Sequence, residues 1–174
     1  MLLNKRLINE CRRDNPDGFG TIWMAPDGFI TATQFLERDP WHYLSEDIEH
    51  DYTNYNIALH FRFATHGAIT RDNLHPFGNY KQGYWMHNGV LPLQPANRDE
   101  SDSSVYYRSV IEPVISNYSS AQDLDEYIDC LECLTPAGSR FLFMYPTLAN
   151  YAILTGSGWV QDNNGLWLSH GGCL

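Results

Sequence analysis

Four short segments hold the chain's densest chemistry, in this order: Arg62-Phe63-Ala64-Thr65-His66-Gly67, Asn73-Leu74-His75-Pro76-Phe77, His87-Asn88-Gly89 and Ser101-Asp102-Ser103. Hydrolysing a side-chain amide while leaving an amino acid backbone untouched requires a clamp on the α-carboxylate, an acceptor for the α-ammonium and donors for the oxyanion. Arg62 can form the bidentate carboxylate pair, and Asp102 can hold the ammonium. Each segment also has a plainer reading. Arg62 can pair with a surface carboxylate, Asn88-Gly89 can be a hairpin turn, Asp102 can serve only as a helix N-cap, and His75-Pro76 can merely shape a loop.

His60, His66, His75 and His87 invite a metal reading, but their gaps of 5, 8 and 11 residues match no short zinc spacing. Satisfied or solvent-facing imidazoles are the expectation, with no metal and no other cofactor. Cys11, Cys130, Cys133 and Cys173 are expected to be reduced thiols, because one pair in a chain of this size without a signal-peptide core argues against a disulfide framework. Leu124, Tyr127, Ile128, Leu131 and Leu134 surround Cys130-x-x-Cys133 with helical spacing, which suggests that both thiols face a core.

The elements that must position these groups follow from period and punctuation. Leu3, Leu7 and Cys11 at i, i+4 and i+8 predict an amphipathic helix over 2–13, stopped by Asn15-Pro16-Asp17-Gly18. Phe19 to Ala25 and Phe29 to Ala32 read as a hairpin around Pro26-Asp27-Gly28. Glu37 to Asn56 reads as irregular or short helix. From Ile57 to Thr65 the chain alternates, with Ile57, Leu59, Phe61 and Phe63 on a greasy face and His60 and Arg62 on the other. Tyr84 to His87 reads as a strand ending at Asn88-Gly89. Ser101 or Asp102 can cap a helix towards Tyr118, kinked or broken near Pro113, and a second helix runs to Leu134. Strands are expected again over 141–145, 151–155 and 165–169. The sum is an α+β chain of antiparallel sheets.

The chain has 174 residues, 43% hydrophobic and 14% aromatic, which suits one globular domain, 1–174. With 11 basic and 21 acidic side chains its formal charge is −10, which repels phosphate backbones, so no nucleic-acid partner is expected. An acidic nucleic-acid mimic would need more than 18% charged residues. No apolar run approaches the roughly 20 residues of a membrane span, and the chain reads as soluble and intracellular.

In register, the four segments together with Asn15-Pro16-Asp17-Gly18-Phe19-Gly20 resemble class II glutamine amidotransferases, the glutaminase domains of the N-terminal-nucleophile hydrolase fold, and particularly small stand-alone members, many of them phage-encoded. The resemblance spans Leu2 to about Ser169. It implies a four-layer αββα sandwich of antiparallel sheets and glutamine as ligand. Asn88 and Gly89 then form the oxyanion hole through a side-chain amide and a backbone N–H, each donor worth roughly 10²–10³ in rate. Arg62 and Asp102 hold the amino acid, and Thr65 and His66 line its pocket. A separate enzyme would accept the ammonia, and the compartment would be the cytoplasm, or the host cytoplasm or virion of a phage.

The family's nucleophile is an N-terminal cysteine, whereas this chain begins Met1-Leu2-Leu3. The first strand is therefore expected to be missing or altered, and the polypeptide as written is expected not to hydrolyse glutamine. Cys11 lies too close to the turn at Asn15 for a strand of roughly 5 to 6 residues. The alternative function is that of a catalytically inactive homologue acting as a binding or structural protein, for example in phage assembly or a virion. Acidic clusters at Glu46, Asp47, Glu49 and Asp51, and at Asp123, Asp125, Glu126, Asp129 and Glu132, could face a basic partner. Without its first strand the sheet would expose an edge for a partner chain or a second copy.

Overall fold

The structure, a computed structural model, describes residues 5–37, 39–48, 54–117, 124–146, 152–163 and 165–169. Helix α1 (Lys5–Asp14) is closed by Asn15, whose N–H and Nδ2 both donate to the Cys11 carbonyl, at 3.0 and 3.1 Å. The turn through Pro16 and Gly18 then delivers β1 (Phe19–Met24), buried along its whole length. Asp27 accepts the Phe29 N–H and turns the chain into β2 (Ile30–Phe35). Helix α2 (Pro40–Ile48) occupies part of the acidic, aromatic stretch, and β3 (Asn56–Phe61) follows it. These strands form an antiparallel sheet in the order β2-β1-β3.

A second antiparallel sheet has the order β4-β5-β6-β7, from β4 (Phe77–Asn79), β5 (Gly83–Asn88), β6 (Arg140–Met144) and β7 (Ala152–Thr155). Between β5 and β6 run α3 (Asp102–Tyr106), a π-helical turn over Tyr107–Ile111, α4 (Glu112–Asn117) and α5 (Leu124–Cys133). A short hairpin, β8 (Val160–Gln161) and β9 (Trp167–Leu168), completes the described chain. The fold is mixed α+β with antiparallel sheets.

Three apolar clusters tie these elements together. Ile22, Met24, Ile30 and Ala58 of the first sheet pack on Met86 and Met144 of the second. Ile8 of α1 and Leu44 of α2 cover Trp23 and the half-buried Ile57, Leu59 and Phe61 on the other face of the first sheet. Trp85, Phe141, Phe143 and Ile153 of the second sheet pack on Tyr106, Ile111, Tyr127 and Leu131 of the helices. Burying a large apolar side chain contributes roughly 1.5–3 kcal/mol, so the alternation that places these residues also fixes strand register.

Several expectations need correction. The strand expected to reach Thr65 ends at Phe61, and Phe63, assigned to its greasy face, is 62% exposed, because the chain leaves the sheet at Arg62 to build a loop. Strands β4 and β8 are too short to show period in sequence. The helix after Ser101 is not broken at Pro113. It widens one turn earlier, where Glu112 N–H reaches Tyr107 O, a local π distortion next to a residue that has no N–H to give. Ser101 is the N-cap, accepting Ser104 N–H, while Asp102 is the first helical residue.

Cys130 and Cys133 are exposed rather than core-facing, because the buried stripe of α5 runs through Tyr127 and Leu131. Glu126, Asp129 and Glu132 are likewise exposed on α5. Cys173, Glu49, Asp51 and Asp123, and the side chains of Glu46, Asp47 and Asp125, lie outside the described residues. Among the described residues no helix is long and apolar enough to cross a membrane.

Candidate functional site

A cavity of about 820 Å³ lies along the outer edge of β3, between α1 and the inner face of the second sheet. One end is apolar, walled by Leu7, Ile8, Leu142, Met144 and Leu154, and the other carries Arg62, Asn88, Gly89 and Asp102. The candidate residues named from sequence therefore share one enclosure. Their convergence depends on three loops held together by backbone-directed side chains.

The first loop carries Arg62. Its N–H donates to Gly18 O at 2.9 Å and its carbonyl accepts Asp17 N–H at 3.0 Å, so the chain stays pinned to the turn before β1 after the strand has ended. Asp17 also accepts Ala64 N–H at 2.7 Å. The Arg62 side chain is 5% exposed, and its Nη1 and Nη2 donate to the carbonyls of Ala68 and His66 at 3.1 and 3.0 Å. Those bonds aim the guanidinium and leave further N–H groups for a ligand. Burial pushes its pKa down from the ordinary arginine value, while Asp17 and Asp102 oppose that shift. No surface carboxylate pairs with it among the described residues. Thr65 and His66 line the cavity mouth and are exposed, with His66 Nδ1 3.3 Å from Thr65 Oγ1.

Asn73 holds the second loop. Its Nδ2 donates to Ala68 O and Asp99 O at 2.9 and 2.6 Å, and its Oδ1 accepts Ser101 N–H at 2.8 Å. One buried amide thus fastens Ala68 O, one of the two carbonyls that aim Arg62, to the helix start that presents Asp102. Gly67 allows the approach, since a Cβ there would come within 2.6 Å of Ser101 N and φ is +77°. Asp102 accepts Ser103 N–H at 2.8 Å through Oδ1.

Asn88 and Gly89 end β5 without forming a hairpin, because the next strand of that sheet begins only at Arg140. Gly89 has φ +135°, and a Cβ there would sit 2.7 Å from Ser139 Cα, so glycine is required by both conformation and space. Asn88 Nδ2 donates to Ser169 Oγ at 2.6 Å, which orients the amide while leaving its second N–H available. The structure thus adds Asn73, Asp17 and Ser169 as positioning residues. The first two stand inside the recognised segments, but their roles need contacts across 28 and 47 positions, and Ser169 gave no signal.

Beneath the polar end sit three imidazoles. His60 Nε2 is 3.0 Å from His87 O, so it donates to that carbonyl, and His87 Nδ1 lies 3.1 Å from Ser103 Oγ. The His60 and His75 ring centres are 4.1 Å apart. His75 is buried with neither ring nitrogen partnered, and His60 Nδ1 is likewise unpartnered, so the expectation of satisfied histidines fails here. Burial pushes His60 and His87 down to about 4 and His75 well below its ordinary value, and at His60 and His75 the neighbouring imidazoles and the Arg62 guanidinium further disfavour a proton. All three are neutral at pH 7. Among the described residues no three His, Cys, Asp or Glu side chains gather as metal ligands would.

No protein-family model matches this chain, and no curated protein matches its sequence.

Proposed function

We propose that the chain is a glutamine-binding domain of the class II glutamine amidotransferase kind, built on the four-layer αββα sandwich of N-terminal-nucleophile hydrolases. The observation that carries this reading is the meeting of Arg62, Asn88, Gly89 and Asp102 in one cavity. Arg62 clamps the α-carboxylate through the N–H groups that its two loop carbonyls leave over. Asp102 accepts the ammonium through the oxygen not committed to Ser103. The free N–H of Asn88 and the Gly89 N–H polarise the side-chain carbonyl. The apolar clusters on both faces of each sheet support the layered architecture.

The apolar half of the cavity supports the expectation of an altered first strand. The first sheet has three described strands against four in the second, and the groove follows the outer edge of β3. Both β3 and α1 finish at the polar end, where Arg62 meets Asp17. A further strand antiparallel to β3 would therefore begin beside Asn88 and lead towards the start of α1. A cysteine heading that strand could attack the amide carbon, its thiol proton passing through its own α-amino group to the departing nitrogen, so that the C–N bond breaks and ammonia leaves for a separate acceptor enzyme; water then cleaves the resulting thioester to glutamate and regenerates the thiol.

The test is calorimetric titration of the chain with L-glutamine, followed by a glutamate-release assay on a form carrying a cysteine-headed strand before α1. Binding that Asp102→Asn weakens at least tenfold, and turnover only in the extended form, are the expected results. Failure of the chain and of its extended form to bind glutamine overturns the reading. Among the described residues no strand pairs with the outer edge of β3, which also favours a second reading, a non-catalytic protein whose edge pairs with a strand from a partner chain. Under that reading the native protein elutes in a stoichiometric complex, and the extended form turns over nothing.

A further inference from the structure

Arg140 stands on β6 directly opposite Asn88 on β5. Facing residues of an antiparallel pair project to the same side of the sheet, and both side chains line the cavity. Arg140 Nε is buried with no hydrogen-bond partner, and among the described residues no carboxylate pairs with this cation. Its guanidinium lies close against Gly158, where a Cβ would approach Nη2 to 2.3 Å, and Trp159 beside it is fixed by donation to Thr155 O at 3.0 Å. Arg62 follows β3 of the first sheet whereas Arg140 lies on β6 of the second, so the two arginines come from different sheets. Glutamine has one carboxylate and uses one of them.

Resting on the glutamine reading above, we propose that Arg140 anchors a second anionic group, and that the ligand class is a γ-glutamyl amide whose amine half carries a carboxylate, a γ-glutamyl amino acid. Arg62 holds the glutamyl carboxylate, Asn88 addresses the amide carbonyl, and Arg140, next to Asn88 on the ladder, meets the carboxylate on the amine side. A guanidinium whose Nε is buried without an acceptor is costly, and a carboxylate supplies charge-assisted bonds.

The test titrates the full chain with L-glutamine, γ-L-glutamylglycine and γ-L-glutamyl methylamide, the last matching the amine half in size without its charge. Tighter binding of γ-glutamylglycine than of the methylamide by about tenfold or more is expected, with the ratio falling to about one in Arg140→Gln and remaining intermediate in Arg140→Lys. A ratio near one in the unaltered protein, or an undiminished ratio in Arg140→Gln, overturns the inference while glutamine binding leaves the parent reading standing. Absence of binding by all three ligands overturns both. The comparison within the unaltered protein decides even where Arg140→Gln does not fold.

Discussion

Asn73 Oδ1 accepts the backbone N–H of Ser101 at 2.8 Å, across 28 residues of chain. The same amide donates to Ala68 O, the carbonyl that also receives Arg62 Nη1. Arg62 and the helix start that carries Asp102 are therefore both positioned by one buried side chain. Removing it leaves the buried Ser101 N–H without an acceptor, at about 1–3 kcal/mol, while Ala68 O keeps Arg62 Nη1 and Asp99 O keeps the Ala68 N–H. Asn73→Ala is expected to lower the unfolding free energy by roughly 1–3 kcal/mol and to weaken glutamine binding in the surviving folded fraction. Denaturant unfolding and calorimetry check the two effects; unchanged stability would mean the three bonds carry little.

Gly20 on β1 passes under the His75 carbonyl so closely that a Cβ would stand 1.8 Å from its oxygen. Nothing there is the tip of a flexible side chain, so backbone must move. The neighbouring Gln34 ties the same segment down through Leu74 O and Pro76 O at 2.6 and 3.0 Å. Gly20→Ala is expected to destabilise by about 1–3 kcal/mol or more, read as a lowered midpoint in thermal unfolding, whereas alanine normally helps a strand interior relative to glycine.

Arg62→Lys keeps the charge and loses the fork. A lysine cannot reach both the Ala68 and His66 carbonyls and still present a planar pair of donors to a carboxylate. Glutamine affinity is expected to fall by about tenfold to a hundredfold, the equivalent of roughly 1.5–3 kcal/mol for a charge-assisted bond, while amides lacking the α-carboxylate are no worse bound than before. Equal losses for both ligand types would place Arg62 away from the carboxylate.

The imidazole stack fixes the acid side of the stability profile. His60 and His87 titrate at about 4 when folded, and burial holds His75 well below its ordinary value too. Unfolded histidine takes its proton near pH 6.5, so between there and about 4 the unfolded chain binds more protons than the folded one. Stability from these groups is complete above about pH 6.5 and lost as the pH falls through 4, by up to roughly 1.4 kcal/mol per pH unit per histidine. Denaturant unfolding from pH 7 to 4.5 should show a slope that flattens in His60→Gln. An unaltered slope in that variant would mean that His60 is free to protonate in the fold.

How much of this was legible beforehand differs by residue. Alternation marked Ile57, Leu59 and Phe61 as one face of β3, and Ser101 as a cap, because strand period and cap chemistry act over a few residues. The order of Arg62, Asn88-Gly89 and Asp102 singled out residues that line one cavity. Phe63 and the Cys130–Cys133 pair were misplaced, since period alone cannot say where a strand leaves its sheet or which flank of a helix finds a neighbour. Asn73, Ser169 and Arg140 gained their roles only from partners 28, 81 and 52 positions away. The sequence by itself determined residue chemistry and local period. Tertiary structure decided which groups face each other, because hydrogen bonds and unpaired buried charge depend on distances of about 3 Å that no spacing along the chain encodes.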